Sequence, residues 1–199
     1  ILGDDFGTTA VVAFFEGEKL LVANVGDARA VLVENDSFER LSKDHKPNDP
    51  EEMDRIKKAG GEVTRMKVYK LKGKIHRIDF DNRAEQQKLA KQEAEYVGSE
   101  PFRINGEIAM SRALGDQRYK DGLVIADPDI KTVEVSPGDK KLILACDGVW
   151  DVITDEEAAG LVRGESDPQK AAEILKNKAI ENGSKDNISV IVINLSPEE

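Results

Sequence analysis

The chain is 199 residues long and 39% hydrophobic, with 39 acidic against 29 basic residues and a formal net charge of −10. That length and apolar content suffice for one domain with a sizeable core, and the negative balance argues against non-specific binding to nucleic acid or to an anionic membrane. No apolar run is long enough to span a bilayer and no signal-peptide pattern opens the chain at Ile1, while a single cysteine suits a reducing intracellular compartment, cytoplasmic or nuclear.

Residues Thr9 to Phe15, Lys19 to Asn24 and Ala28 to Val33 read as consecutive strands punctuated by Gly17 and by Gly26-Asp27, which predicts an antiparallel meander. Asp49 as N-cap with Pro50 at the first helical position opens a helix that Gly60-Gly61 closes. Val68 to Ile78 is basic and predicts a hairpin turning at Leu71-Lys72-Gly73-Lys74, and Asn82 to Tyr96, rich in Ala, Gln, Glu and Lys, predicts an exposed helix of weak amphipathicity. Lys141 to Ala145 is too apolar for a surface and predicts a buried strand. Thr154 with Glu157 forms a capping box, and Asp167-Pro168 starts a helix whose apolar residues Ala171, Ile174, Leu175 and Ala179 recur at helical spacing up to Gly183. A last apolar run, Ile188 to Ile193, predicts another strand. Strands near both ends with helices between them indicate an α+β fold.

The chemistry concentrates where these strands end. The Lys141–Ala145 run stops in Asp147 and Asp151, four residues apart; on a helical turn such a pair shares one face. Asp27 follows the Lys19 strand, and Asp186 stands at the mouth of the Ile188 strand. Carboxylates that converge repel unless a proton or a cation lies between them. Hard oxygen ligands of this kind suit Mg²⁺ or Mn²⁺. One Cys and two His are too few for a thiolate or imidazole zinc site. Each aspartate taken singly is also explained as a turn residue.

In this order the chain resembles the metal-dependent Ser/Thr protein phosphatases of type 2C. The matching segments are Gly7 to Val12, Val22 to Arg29, Asp44-His45-Lys46-Pro47, Arg55 to Gly61, Asn105-Gly106, Ala109 to Asp116, Ala126 to Asp129, Leu144 to Asp151 and Gly183 to Val190. The resemblance implies a four-layer α-β-β-α sandwich in a single catalytic domain over residues 1–199, incomplete at its N-terminus, with an enlarged flap insertion at about residues 64–102. It implies that Asp147 and Asp186 are ligands of a catalytic pair of Mg²⁺ or Mn²⁺ ions, that Asp27 and Asp151 correspond to a third, weaker metal position, and that no catalytic side chain acts beyond these ligands. The implied reaction is in-line attack on phosphoserine or phosphothreonine of phosphoprotein substrates by a hydroxide formed from metal-bound water.

The family's Asp-Gly-His-Gly segment, which supplies a bridging metal ligand, occurs nowhere in the sequence. Two readings follow: a phosphatase whose first strands belong to a separate or missing piece, leaving this chain alone weakly active, or a catalytically silent phosphatase-like domain that binds and regulates a signalling partner. The flap insertion, with Lys67, Lys70, Lys72, Lys74 and Arg77 in an acidic chain, is the expected place for substrate steering or for a regulatory partner. Structural roles are expected for Arg112 and Asp116, for Trp150 packed beneath the Asp147 loop, and for Cys146 as core packing. The substrate-binding residues are not legible in the sequence.

Overall fold

A computed structural model describes residues 6–135, 138 and 140–195. In chain order it contains β1 (Gly7–Thr8), β2 (Ala10–Glu16), β3 (Lys19–Val25), β4 (Arg29–Val33), β5 (Phe38–Arg40), α1 (Pro50–Lys58), β6 (Val63–Thr64), β7 (Met66–Leu71), β8 (Lys74–Asp79), α2 (Arg83–Lys91), β9 (Glu95–Ser99), β10 (Arg103–Ile104) and β11 (Leu114–Gly115). There follow β12 (Asp129–Glu134), β13 (Lys141–Ala145), α3 (Asp147–Trp150), α4 (Asp155–Val162), α5 (Pro168–Glu181) and β14 (Val190–Asn194). The expected α+β class is the one found. The chain divides into two units, one formed by Gly7–Asp44 with Ala126–Glu199, the other by His45–Ile125.

The first unit holds two antiparallel sheets, in the orders β12-β3-β2 and β14-β13-β4-β5. In β4 and β13 successive side chains serve two cores, as the period of two requires. Ala30, Leu32 and Leu142 meet Leu20 and Val22 of the first sheet. Val31, Val33, Ile143 and Ala145 meet α3, α4 and α5 through Val149, Trp150, Ala158, Ala159, Val162, Ala171, Leu175 and Ala179. The unit is therefore layered helices, sheet, sheet, and burial on both faces explains why Lys141–Ala145 lacks polar alternation. Asp167 accepts hydrogen bonds from the backbone of Gln169 and Lys170, with Pro168 at the first helical position, as expected. Thr154 likewise accepts from Glu157 N.

One expectation fails here. The predicted meander stops after β2 and β3, because β4 pairs with β13 and β5 and not with β3. The chain changes sheet at Gly26, whose φ of +104° favours glycine. A Cβ there would lie 2.3 Å from the Thr9 methyl carbon, so the crossing is also sterically closed to side chains.

In the second unit Asp49 caps α1 ahead of Pro50, and Ile56 packs with Ile104, Ala113 and Val124. A three-stranded antiparallel sheet, β8-β7-β9, carries the predicted basic hairpin, with Lys72 and Gly73 at its turn. The helix predicted over Asn82–Tyr96 is shorter: α2 ends at Lys91, Glu93 takes φ +59°, and Glu95–Ser99 becomes β9, paired to β7. The Tyr and Val of this stretch favour a strand beside Lys67–Lys70, and the Tyr96 ring packs at a 59° tilt against that of Tyr69, centroids 5.4 Å apart.

Candidate metal centre

The first unit brings the ends of β4, β13 and β14 together. Arg29 pairs with Ala145 across the β4–β13 ladder, so Asp27, two residues before β4 begins, and Asp147, two residues after β13 ends, both lie beyond the same end of that ladder. Asp147 opens α3 and Asp151 follows one helical turn later, its N–H donating to Asp147 O at 2.9 Å, so the expected spacing of this pair is realised. Asp147, in the first turn of α3, sits where backbone N–H groups favour negative charge.

Asp186 reaches the same rim through a close backbone contact. A Cβ at Gly148 would lie 2.1 Å from Asn187 O and 3.5 Å from the Asp186 Cβ, so the Asp147-Gly148 turn and the Asp186-Asn187 loop touch through a position only glycine can fill. Ser184 Oγ donates to Gly148 O at 2.7 Å and fastens the same two segments. Cys146 joins them as well: its Sγ donates to Asn187 O and accepts from Ser189 N, each at 3.2 Å. The expected core-packing role for Cys146 is thereby replaced by a clip between loops, made possible because the residue is only partly buried. Asp27 is buried at 4% exposure, Asp147 is partly buried, and Asp151 and Asp186 are exposed.

Behind the rim lies a charged cluster that sequence reasoning did not assign. Arg29 donates to both oxygens of Asp44, at 2.9 and 2.5 Å, and to Asp155 at 2.5 Å; Arg40 donates to the other Asp155 oxygen at 2.6 Å. Burial works against the Arg29 charge, but Asp44 and Asp155 outweigh it and raise its pKa; burial likewise opposes Asp155 ionisation, and Arg40 and Arg29 reverse that, lowering its pKa. The guanidinium also lies 4.9 Å from the centroid of the Trp150 ring, whose Nε1 donates to Ala145 O at 2.9 Å. Trp150 is thus packed beneath the Asp147 turn, as expected. Asn24, buried in β3, donates to Gly26 O and Lys43 O and braces the segment before Asp27. The sequence signal for both was their place beside Gly26-Asp27.

Arg112, expected to be structural, is so placed: it donates twice to Glu52 Oε1, at 3.1 and 2.7 Å, within the second unit.

By donor type the rim fits a hard divalent cation, which takes one or two carboxylates and completes its shell with water. Among the described residues no three His, Cys, Asp or Glu side chains converge closely enough to form a full cage.

The sequence profile of protein phosphatase 2C matches residues 3–188. Probable protein phosphatase 2C 59 of Arabidopsis thaliana is 36% identical over 189 residues, covering 95% of this chain and 50% of that protein. Protein phosphatase 2C homolog 1 of Saccharomyces cerevisiae is 37% identical over 175 residues, covering 88% and 49%. Among solved structures, a serine-threonine phosphatase 2C from Toxoplasma gondii superposes with a TM-score of 0.63 at 27% identity, covering 96% of this chain and 59% of that one. A phosphatase from a pathogenic strain of Toxoplasma gondii gives 0.62 at 32% identity, covering 88% and 48%. The chain spans about half the length of the curated relatives it matches. Its profile match, its identity to these relatives and its fold together establish that the chain belongs to the protein phosphatase 2C family.

Proposed function

We propose that this chain carries part of the active site of a Mg²⁺- or Mn²⁺-dependent protein serine/threonine phosphatase, in a single catalytic domain with a flap insertion at about residues 64–102. Asp147 and Asp186 hold the catalytic pair of ions, and Asp27 and Asp151 hold a third, weaker one. The observation that carries the reading is the rim itself: Asp27 and Asp147 beyond the same end of the β4–β13 ladder, and a Gly148 that leaves no room between the Asp147 turn and the Asp186 loop. When bound, the ions supply a water acidic enough to attack at neutral pH and neutralise charge on the phosphate.

The chain's own residues do the positioning. Gly148, Ser184 and Cys146 fix the distance between two loops; Arg29 and Trp150 support the turn from below. Phosphoprotein substrates and an intracellular setting belong to this proposal. In the described residues no helix is long and apolar enough to cross a membrane.

A second reading, a silent domain that regulates a signalling partner through the flap excursion, draws on the lack of a three-carboxylate cage among the described residues. The same observation supports weak metal binding and slow turnover by this chain alone. Hydrolysis of a phosphopeptide and of an aryl phosphate with added Mn²⁺, by the longest natural protein containing this sequence, decides between them. Activity lost in Asp147→Asn supports the enzyme; no hydrolysis by the intact protein at any Mn²⁺ concentration supports the silent domain.

A further inference from the structure

The β8-β7-β9 sheet of the second unit ends in two unlike edges. The β9 edge is interrupted by an irregularity facing Val68/Tyr69, with Gly98 at φ +152°. Such a break guards an edge against further pairing. The β8 edge is straight over six residues, Lys74–Asp79, in unbroken register with β7.

The turn tells which β8 groups face outward. Lys72 and Gly73 have φ +49° and +78°, the two positive angles of a type I′ turn, and Leu71 faces Lys74 across it. In a two-residue hairpin that first pair exchanges hydrogen bonds and the pairing then alternates. The N–H and C=O groups of Lys74, His76 and Ile78 therefore point to β7, while those of Ile75 and Arg77 point to the open side. Ile75 is 49% exposed.

Charge selects what could pair there. Met66–Asp79 holds five basic residues, Lys67, Lys70, Lys72, Lys74 and Arg77, against the single acid Asp79, in a chain whose net charge is −10. Lys67 is engaged with Gln86 and the Phe80 ring, and Arg77 with Glu100. Lys70, Lys72 and Lys74 are exposed and have no carboxylate partner among the described residues. Cations along an edge repel a second copy of the same edge and attract an acidic one.

We infer that the open side of β8 takes up an extended, acidic phosphorylated segment of a protein as an added strand, using the Ile75 and Arg77 backbone groups for pairing and Lys70 and Lys74 for charge. This deepens, and rests on, the proposal that the protein acts on phosphoproteins; β8 is then a docking edge for them. Strand addition of this kind takes affinity from main-chain hydrogen bonds and specificity from alternate side chains.

The test is fluorescence anisotropy of a labelled acidic phosphopeptide of about eight residues, with the full chain, in EDTA so that no metal contributes. Binding that weakens with salt is expected, falling roughly tenfold in Ile75→Pro, which removes an outward N–H but no ladder bond, and similarly in Lys70→Glu/Lys74→Glu. The same peptide with alternate amides N-methylated keeps its charge and side chains and should not bind, a result that does not depend on how well any variant folds. Equal binding of the methylated peptide overturns strand addition. So does tight binding to phosphatidylserine vesicles that Ile75→Pro leaves unchanged, which would mark the basic strand as a membrane contact. Because the readout is metal-free binding, hydrolysis without docking sinks only this inference, and docking without any hydrolysis by the longest natural protein containing this sequence sinks only the phosphatase reading.

Discussion

The carbonyl oxygen of Asn187 occupies the space that a side chain at Gly148 would need, 2.1 Å from an ideal Cβ. Real contacts of that type do not exist, so Gly148→Ala must push the Asp147 turn away from the Asp186 loop. Overpacking of this order costs about 1–3 kcal/mol. The expected result is a lower melting temperature together with a several-fold loss in Mn²⁺ affinity measured by calorimetry. A variant that melts lower but binds Mn²⁺ as before would show that the two loops need not touch to hold an ion.

Arg29 neutralises the buried Asp155 and the partly buried Asp44 at once, its side chain 9% exposed beside Asp44 at 13% and Asp155 at 10%. Arg29→Met leaves Asp44 without that partner and Asp155 with only Arg40, which should cost about 3–5 kcal/mol. Arg29→Lys should recover little, because an ammonium cannot fork onto Asp44 while reaching Asp155. Urea denaturation of both variants, with Asp155→Asn in a double-mutant cycle, measures the coupling.

Glu52 gives a pH signature to the second unit. Burial by itself would push its carboxyl up, but hydrogen bonds from Arg112 and Arg55 prevail and hold it at about 2, against an ordinary 4.5. A depressed folded-state pKa contributes stability that is fully present above the unfolded value and disappears as pH falls through the folded one. Stability on the order of 3 kcal/mol should therefore be lost between about pH 5 and pH 2. Glu52→Gln should flatten that part of the stability curve; an unchanged acid limb would show that Glu52 is not the group responsible.

Asp147→Asn removes a charge at the start of α3 without changing shape. Mn²⁺ affinity should fall at least tenfold, whereas Asp54→Asn, a substitution on the exposed face of α1 where Asp54 pairs with Lys58, should leave it unchanged. Paramagnetic line broadening of the Asp147, Asp151 and Asp186 amide signals on adding Mn²⁺ would locate the ion.

Much of this was readable from local signals. Asp49-Pro50 and Asp167-Pro168 are helix starts whose chemistry is complete within three residues, and the two-faced burial of β13 follows from its unbroken apolar run. All four proposed metal ligands were visible as carboxylates at strand ends. What escaped depends on pairing over long distances. Whether β4 continues the meander or joins β13 is decided by residues more than a hundred positions away, and the Arg29–Asp155 contact spans 126. The early end of α2 was hidden because Glu93 is a good helix former that here takes a left-handed conformation, ahead of the strand in which Tyr96 meets Tyr69. Cys146 misled because an apolar flank reads as interior, although its sulfur turns toward the Asn187 loop.

Trp150 is the sole tryptophan in the chain and it is nearly enclosed, its indole N–H tied to Ala145 O and its ring face under a guanidinium. Excitation near 295 nm therefore has one emitter, placed on the same turn as Asp147 and adjacent in sequence to Asp151. Any displacement of that turn changes the distance between the indole and Arg29, and with it the quenching and the emission maximum. The molecule carries its own optical gauge of the aspartate rim, read without label or substrate.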